Sequence, residues 1–168
     1  HRDLGSAVAG IESLVSSGEG GYVCLAPVHM IMEALDDPSF FDILVRAEAV
    51  LPDGMPLAWS LRADGHQETE RVAGMDLTTA VLDLAQKQGL AVGFHGGRPE
   101  VLERLLTLVR SRWPSVQIAY ACSPPFGPQS DSETGKQIEQ INSSGAQILF
   151  VGLGCPKQER WMAANRAK

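Results

Sequence analysis

Cysteine is scarce in this sequence, with only Cys24, Cys122 and Cys155 among 168 residues, and no C-x-x-C pair. Three widely spaced thiols argue against both a disulfide framework and a cysteine zinc site, and point to a reducing cytoplasm. No apolar run approaches the length of a membrane span. No D-x-D triplet is present to hold a divalent ion beside a nucleotide sugar, and Asp36-Asp37, ahead of Pro38, reads as a helix end. Neither a metal nor any other cofactor is expected. There is no excess of positive charge either. The net charge of −6 excludes nucleic-acid binding as the business of the whole fold. Internal repeats, low-complexity tracts and interdomain linkers are also missing.

What is present is an ordinary globular composition, 44% hydrophobic and 20% charged. The length suits one domain over residues 1–168 with a full core. The chain opens at His1 with a helical pattern and stops inside another in "ERWMAANRAK", so both ends read as cut.

Short apolar runs alternate with amphipathic segments. Strands are expected at Tyr22–Ala26, Ala49–Leu51, Leu90–Phe94, Val116–Ala121 and Ile148–Val151. Helices are expected at Ile31–Leu35, Phe40–Val45, Asp76–Gln88 with Asp76 as N-cap, Pro99–Arg112 and Ser132–Ser143. This alternation predicts an α/β fold, a Rossmann-like, mostly parallel sheet with helices on both faces. In such sheets ligands bind at the carboxyl ends of the strands. Five strand-end segments therefore matter most: "APVHM", "PDGMP", "HGGRPE", "CSPPFGP" and "GLGCPKQE". In the fourth, Pro124, Pro125 and Pro128 stiffen a loop expected near the site.

Gly96-Gly97 followed by Pro99, and Gly152-Leu153-Gly154 followed by Pro156, each place glycines before a helix N-terminus. That arrangement suits an anion, because backbone N–H groups can approach it and the helix end is partly positive. A plain strand–helix turn is the alternative. Neither segment is a dinucleotide fingerprint or a P-loop: Lys157 stands where the third glycine would be, and no Gly-Lys-Ser/Thr follows. Lys157, Gln158 and Glu159 fall in a first helical turn, or are simply solvated. Asp53 ends a strand and is a candidate general base, with a turn carboxylate as the competing account. Arg71 could pair with a phosphate, or with one of the chain's 20 acids. His29 and His95 lie near the strand ends, and Trp59, Trp113 and Trp161 read as core or partner contacts.

Together, "ILFVGLGCPKQERWM", "AEAVLPDGMPLAW", "ERVAGMDL" and "VGFHGGRPEVLERL" resemble the motifs of the WecG/TagA/CpsF family of glycosyltransferases, in order, from about Val23 to Asn165. The resemblance implies inverting, metal-independent transfer from a UDP-sugar to a polyprenyl-diphosphate-linked saccharide. The donor sugar it implies is N-acetylmannosamine, its uronic acid or a related hexose or uronic acid. It assigns the base to Asp53, the family arginine to Arg71 and the family glutamine to Gln158. Gly54, Gly96, Gly97, Gly152, Gly154, Pro156, Lys157 and Glu159 would line the substrate. Many members carry Thr-x-Asn after the first strand. This chain has Cys24-Leu25-Ala26 there, so Ala26 occupies the asparagine position and His29 is the candidate replacement. The resemblance further implies peripheral contact with the inner face of a bacterial membrane, through a basic C-terminal part that this chain lacks, and a homo-oligomer stays open. A nucleotide-binding module without activity and an NAD-dependent oxidoreductase are the competing readings.

Overall fold

Every strand pairing in the computed structural model, which describes residues 3–127 and 129–166, is parallel. β1 (Val23–Ala26) pairs with β2 (Ala49–Pro52) along Val23↔Ala49 to Ala26↔Pro52. β3 (Ala91–Gly96) lies between β4 (Gln117–Cys122) and β5 (Ile148–Gly152). The α/β class is as expected, but the five strands form two parallel sheets, one of two strands and one of three. The chain divides accordingly into two units, residues 3–81 with 155–166, and residues 82–154.

The first unit opens with α1 (Leu4–Ser17), capped by Asp3, whose carboxylate accepts from Ser6 N at 2.7 Å. It continues through β1, α2 (Val28–Asp36), α3 (Pro38–Val45), β2, α4 (Met55–Ala63) and the first half of α5 (Gly74–Gln88), and closes with α8 (Lys157–Asn165). Asp37 ends α2 and caps α3, accepting from Ser39 N at 2.8 Å, with Pro38 in the first turn. The core joins Tyr22, Cys24 and Ala26 of the strand region to Met30, Ala34, Phe40 and Leu44 of the helices, with Met162 and Ala163 of α8 packed against it. Phe40 and Met30 are wholly buried, and each is worth about 1.5–3 kcal/mol in removal from water.

The second unit carries β3, α6 (Pro99–Arg112), β4, α7 (Asp131–Ser144) and β5. β3 is buried along nearly its whole length, as a central parallel strand covered on both faces must be. Its core holds Leu82, Ala85, Val92, Phe94, Leu102, Val109 and Trp113. Phe94 stacks on Phe150 at 5.1 Å, and Trp113 Nε1 donates to Asp83 at 2.5 Å. Ser130 and Glu133 form a reciprocal cap on α7.

Two elements differ from expectation. α4 follows Gly54 directly, where no helix is expected. α5 begins at Gly74, so Asp76 lies inside its first turn rather than at its cap. Pro128 lies outside the described residues.

Candidate active site

In the first unit, backbone hydrogen bonds gather Asp53 and Arg71 at one strand end. Asp53 N donates to Ala26 O at 3.0 Å, which extends the β1–β2 ladder by one step. On the next residue back, Pro52 O accepts from Val72 N at 2.9 Å, so the 71–73 segment runs beside the end of β2. Val72 is 1% exposed and anchors that segment, whereas Arg71 faces outward. Arg71 has no hydrogen bond or ion pair among the described residues. Gly74, not among the expected site residues, starts α5 against Asp53: a methyl group there would sit 3.7 Å from Asp53 Oδ2. The signal was available in "ERVAGMDL", where a glycine stands between a buried pair and a helical pattern.

Gly54 makes the turn possible. Its φ of 155° and ψ of 142° lie where residues with a Cβ are strained, and the chain passes from there straight into α4. His29, in the first turn of α2, is exposed. Ala26 is different. It is 0% exposed, and its carbonyl is the acceptor for Asp53 N, so it belongs to the frame and presents no side-chain surface to a ligand.

α8 is tied down at both ends within the same unit. Arg160 pairs with Asp37 and lies over the Phe40 ring, and Arg166 pairs with Glu48, whose other oxygen accepts from Tyr22 N at 2.6 Å. Pro156 precedes the helix through a cis peptide bond with Cys155. Lys157 is exposed and Gln158 half-buried. Glu159 departs from the expectation: it is 0% exposed, turned inward to where its charge is felt by the thiols of Cys24 and Cys155. Burial, and then the charge of Glu159, push the Cys24 thiol up to about 12 and Cys155 up to about 11. Neither thiol is a nucleophile near neutral pH.

In the second unit, one of the glycines expected to cradle an anion, Gly96, has a packing role. A methyl group on Gly96 would lie 2.3 Å from Gly152 O, so β3 and β5 can approach only with glycine there. Gly97 N donates to Gly152 O at 3.0 Å, and Gly97 O accepts from Ser123 Oγ at 2.6 Å. The Gly97 N–H is therefore engaged within the sheet end. Gly152 and Gly154 are exposed, with open space where a side chain would project. His95 is 2% exposed and its Nδ1 lies 3.2 Å from Tyr120 OH, an interior polar pair of this unit.

Among the described residues, no cluster of three His, Cys, Asp or Glu side chains is placed to hold a metal ion, and no helix is long and apolar enough to cross a membrane.

Asp53 thus follows β2, Arg71 lies on the segment bonded to the end of β2, and Gln158 is borne on the first turn of α8. The model of the glycosyl transferase WecG/TagA/CpsF family matches residues 1–168, and the chain belongs to that family. The family's work is sugar transfer in cell-surface polysaccharide synthesis, from a sugar nucleotide to a lipid-linked acceptor.

Proposed function

We propose that this chain catalyses an inverting, metal-independent transfer from a UDP-sugar to a saccharide carried on a polyprenyl diphosphate, at the cytoplasmic face of a bacterial membrane. The observation that carries the reading is the pairing of Val72 N with Pro52 O, which brings the Arg71 segment alongside the strand that delivers Asp53. A carboxylate and an unpaired guanidinium at one strand end are the two groups such a transfer needs.

The acceptor hydroxyl oxygen attacks the anomeric carbon of the donor as the bond from that carbon to the UDP oxygen breaks. The hydroxyl proton passes to Asp53. The negative charge that develops on the diphosphate is met by Arg71, a bidentate partner for phosphate oxygens. Gln158 holds the diphosphate or the sugar by hydrogen bonds. Attack opposite the leaving group inverts the anomeric centre. The donor sugar is N-acetylmannosamine, its uronic acid or a related hexose or uronic acid. Metal independence rests on the missing D-x-D triplet, with Arg71 in the place of a divalent cation.

Calorimetric titration with UDP, with and without EDTA, followed by a donor panel against a lipid-linked acceptor, tests the reading. UDP binding unchanged by chelation, with turnover of one donor, is the expected result. Binding of NAD instead of UDP would point to an oxidoreductase. UDP binding without turnover of any donor would leave a nucleotide-binding module.

A further inference from the structure

Glu159 is a carboxyl group with no exposed surface, in a first helical turn whose other members reach solvent. A buried acid needs partners, because the water it gave up must be replaced by hydrogen bonds. Glu159 Oε1 accepts from Gln158 Nε2 at 2.7 Å. Oε2 meets no hydrogen-bond donor of adequate geometry among the described residues. Its polar company is sulfur, the thiols of Cys24 and Cys155, and a thiol is a weak donor. The carboxamide of Gln158 is thus the strong partner of this acid.

We infer that Glu159 is a positioning residue that fixes which end of the Gln158 carboxamide faces the substrate. The inference rests on the proposed role of Gln158 as a substrate contact. A carboxamide has a donor end and an acceptor end of nearly the same shape, and on an exposed side chain the two exchange freely. The Glu159 oxygen accepts a hydrogen, so the NH2 group must turn inward and the Gln158 carbonyl oxygen must turn away from it. The substrate side of Gln158 is then a defined acceptor, suited to a hydroxyl or amide N–H of the donor. The β1 strand beneath supplies the floor: Cys24 and Ala26, both buried, share one face of it, and Ala26 O holds Asp53 N. The same strand thereby backs the acid that orients Gln158 and the turn that carries Asp53.

The test uses the full chain with nitrogen-15 in its glutamines. In the unsubstituted protein, the Gln158 carboxamide protons should exchange slowly with water, with one shifted downfield. Glu159→Met, of similar volume, should abolish both signatures while far-UV circular dichroism is retained, and should weaken UDP binding by about tenfold. Glu159→Gln can still offer an oxygen, and should restore most of the protection and the affinity. It also serves as the working variant should the Met variant fail to fold. In a Gln158→Ala background, adding Glu159→Met should change UDP affinity no further. Unaltered Gln158 signals in the folded Met variant would overturn the inference, as would an additive loss in the double variant, which marks a merely structural acid. Absence of UDP binding in the unsubstituted protein would overturn the proposed function and the substrate half of the inference, while the carboxamide signals still decide whether Glu159 holds Gln158.

Discussion

Replacing Gly96 with alanine should damage the second unit more than any other single methyl group added at its sheet end. Two effects act together. Gly96 has a φ of 125°, and holding a residue with a Cβ there costs on the order of 1–3 kcal/mol. The new Cβ would also lie 2.3 Å from Gly152 O and 2.5 Å from its carbonyl carbon. Both are backbone atoms of β5, so relief requires the strands to part, and overpacking of that kind costs about 1–3 kcal/mol. Alanine recovers roughly 0.4–1 kcal/mol by restricting the unfolded chain. The net loss is about 1–6 kcal/mol, a large share of the ~5–15 kcal/mol that holds a typical domain folded. Two neighbours serve as controls. Gly97 has a φ of 74° with nothing near its missing Cβ, so Gly97→Ala should cost only the left-handed backbone, about 1–2 kcal/mol. Gly152 has neither a positive φ nor a neighbour, and its alanine variant should stay within about 0.5 kcal/mol of the parent. Urea denaturation followed by circular dichroism gives the three values. If Gly96→Ala unfolds within 0.5 kcal/mol of the parent, roughly the noise of a surface change, the close approach of β3 and β5 is not the reason for the glycine.

Asp53→Asn should lower turnover by roughly 10²–10⁴-fold, the contribution of a general base, and leave UDP affinity nearly intact. Loss of UDP binding in the folded variant would instead move Asp53 into the donor pocket, and His29 would become the next candidate base. Arg71→Ala should weaken UDP binding by about 1.5–3 kcal/mol, the scale of a hydrogen bond to a charged group; an unchanged calorimetric affinity would give Arg71 a structural role. Asp37 is held down to about 2 from its ordinary 3.8, first by the Ser39 hydroxyl and then by Arg160. Because the folded value is the lower one, its contribution to stability is present above 3.8 and fades as pH falls toward 2. A carbon-13 titration should show Ser39→Ala raising the Asp37 value more than Arg160→Gln does, and the reverse order would refute that ranking.

The strands and the strand-end segments were legible because short apolar runs between glycines and prolines are local signals. All five expected strands are present within a residue or two at each boundary. What could not be read depends on pairs of residues distant in sequence. In "HGGRPE" the sequence does not show that Gly96 must be glycine to let β5 approach, because that need comes from Gly152 on the other strand. α5 was placed from Asp76, a good capping residue, but the tie of Val72 to Pro52 starts the helix earlier, at Gly74. Glu159 looked like a rim charge because charge normally seeks water. Its burial follows from the way α8 lies on α3, pinned by Arg160 and Asp37. Ala26 entered through alignment with a family asparagine, and only the β1–β2 ladder reveals it as frame. The gathering of Asp53 and Arg71 was half legible: each stood out alone, but the backbone bond that brings their segments together leaves no trace in composition.

The order in which the chain is written has a consequence for its assembly. The second unit is one uninterrupted stretch, whereas the first is split, with α8 supplied only after the second has been made. During synthesis the second unit can close on itself as it leaves the ribosome. The first must wait with Cys24, Phe40 and Leu44 lacking the Met162 and Ala163 that pack against their cluster. Completion of the first unit is therefore a late, long-range event, slowed by the loop that must be closed to bring Arg166 to Glu48 and Arg160 to Asp37. The helix that carries Gln158 is also the latch of its unit, so Gln158 joins the first unit only after the second has been made.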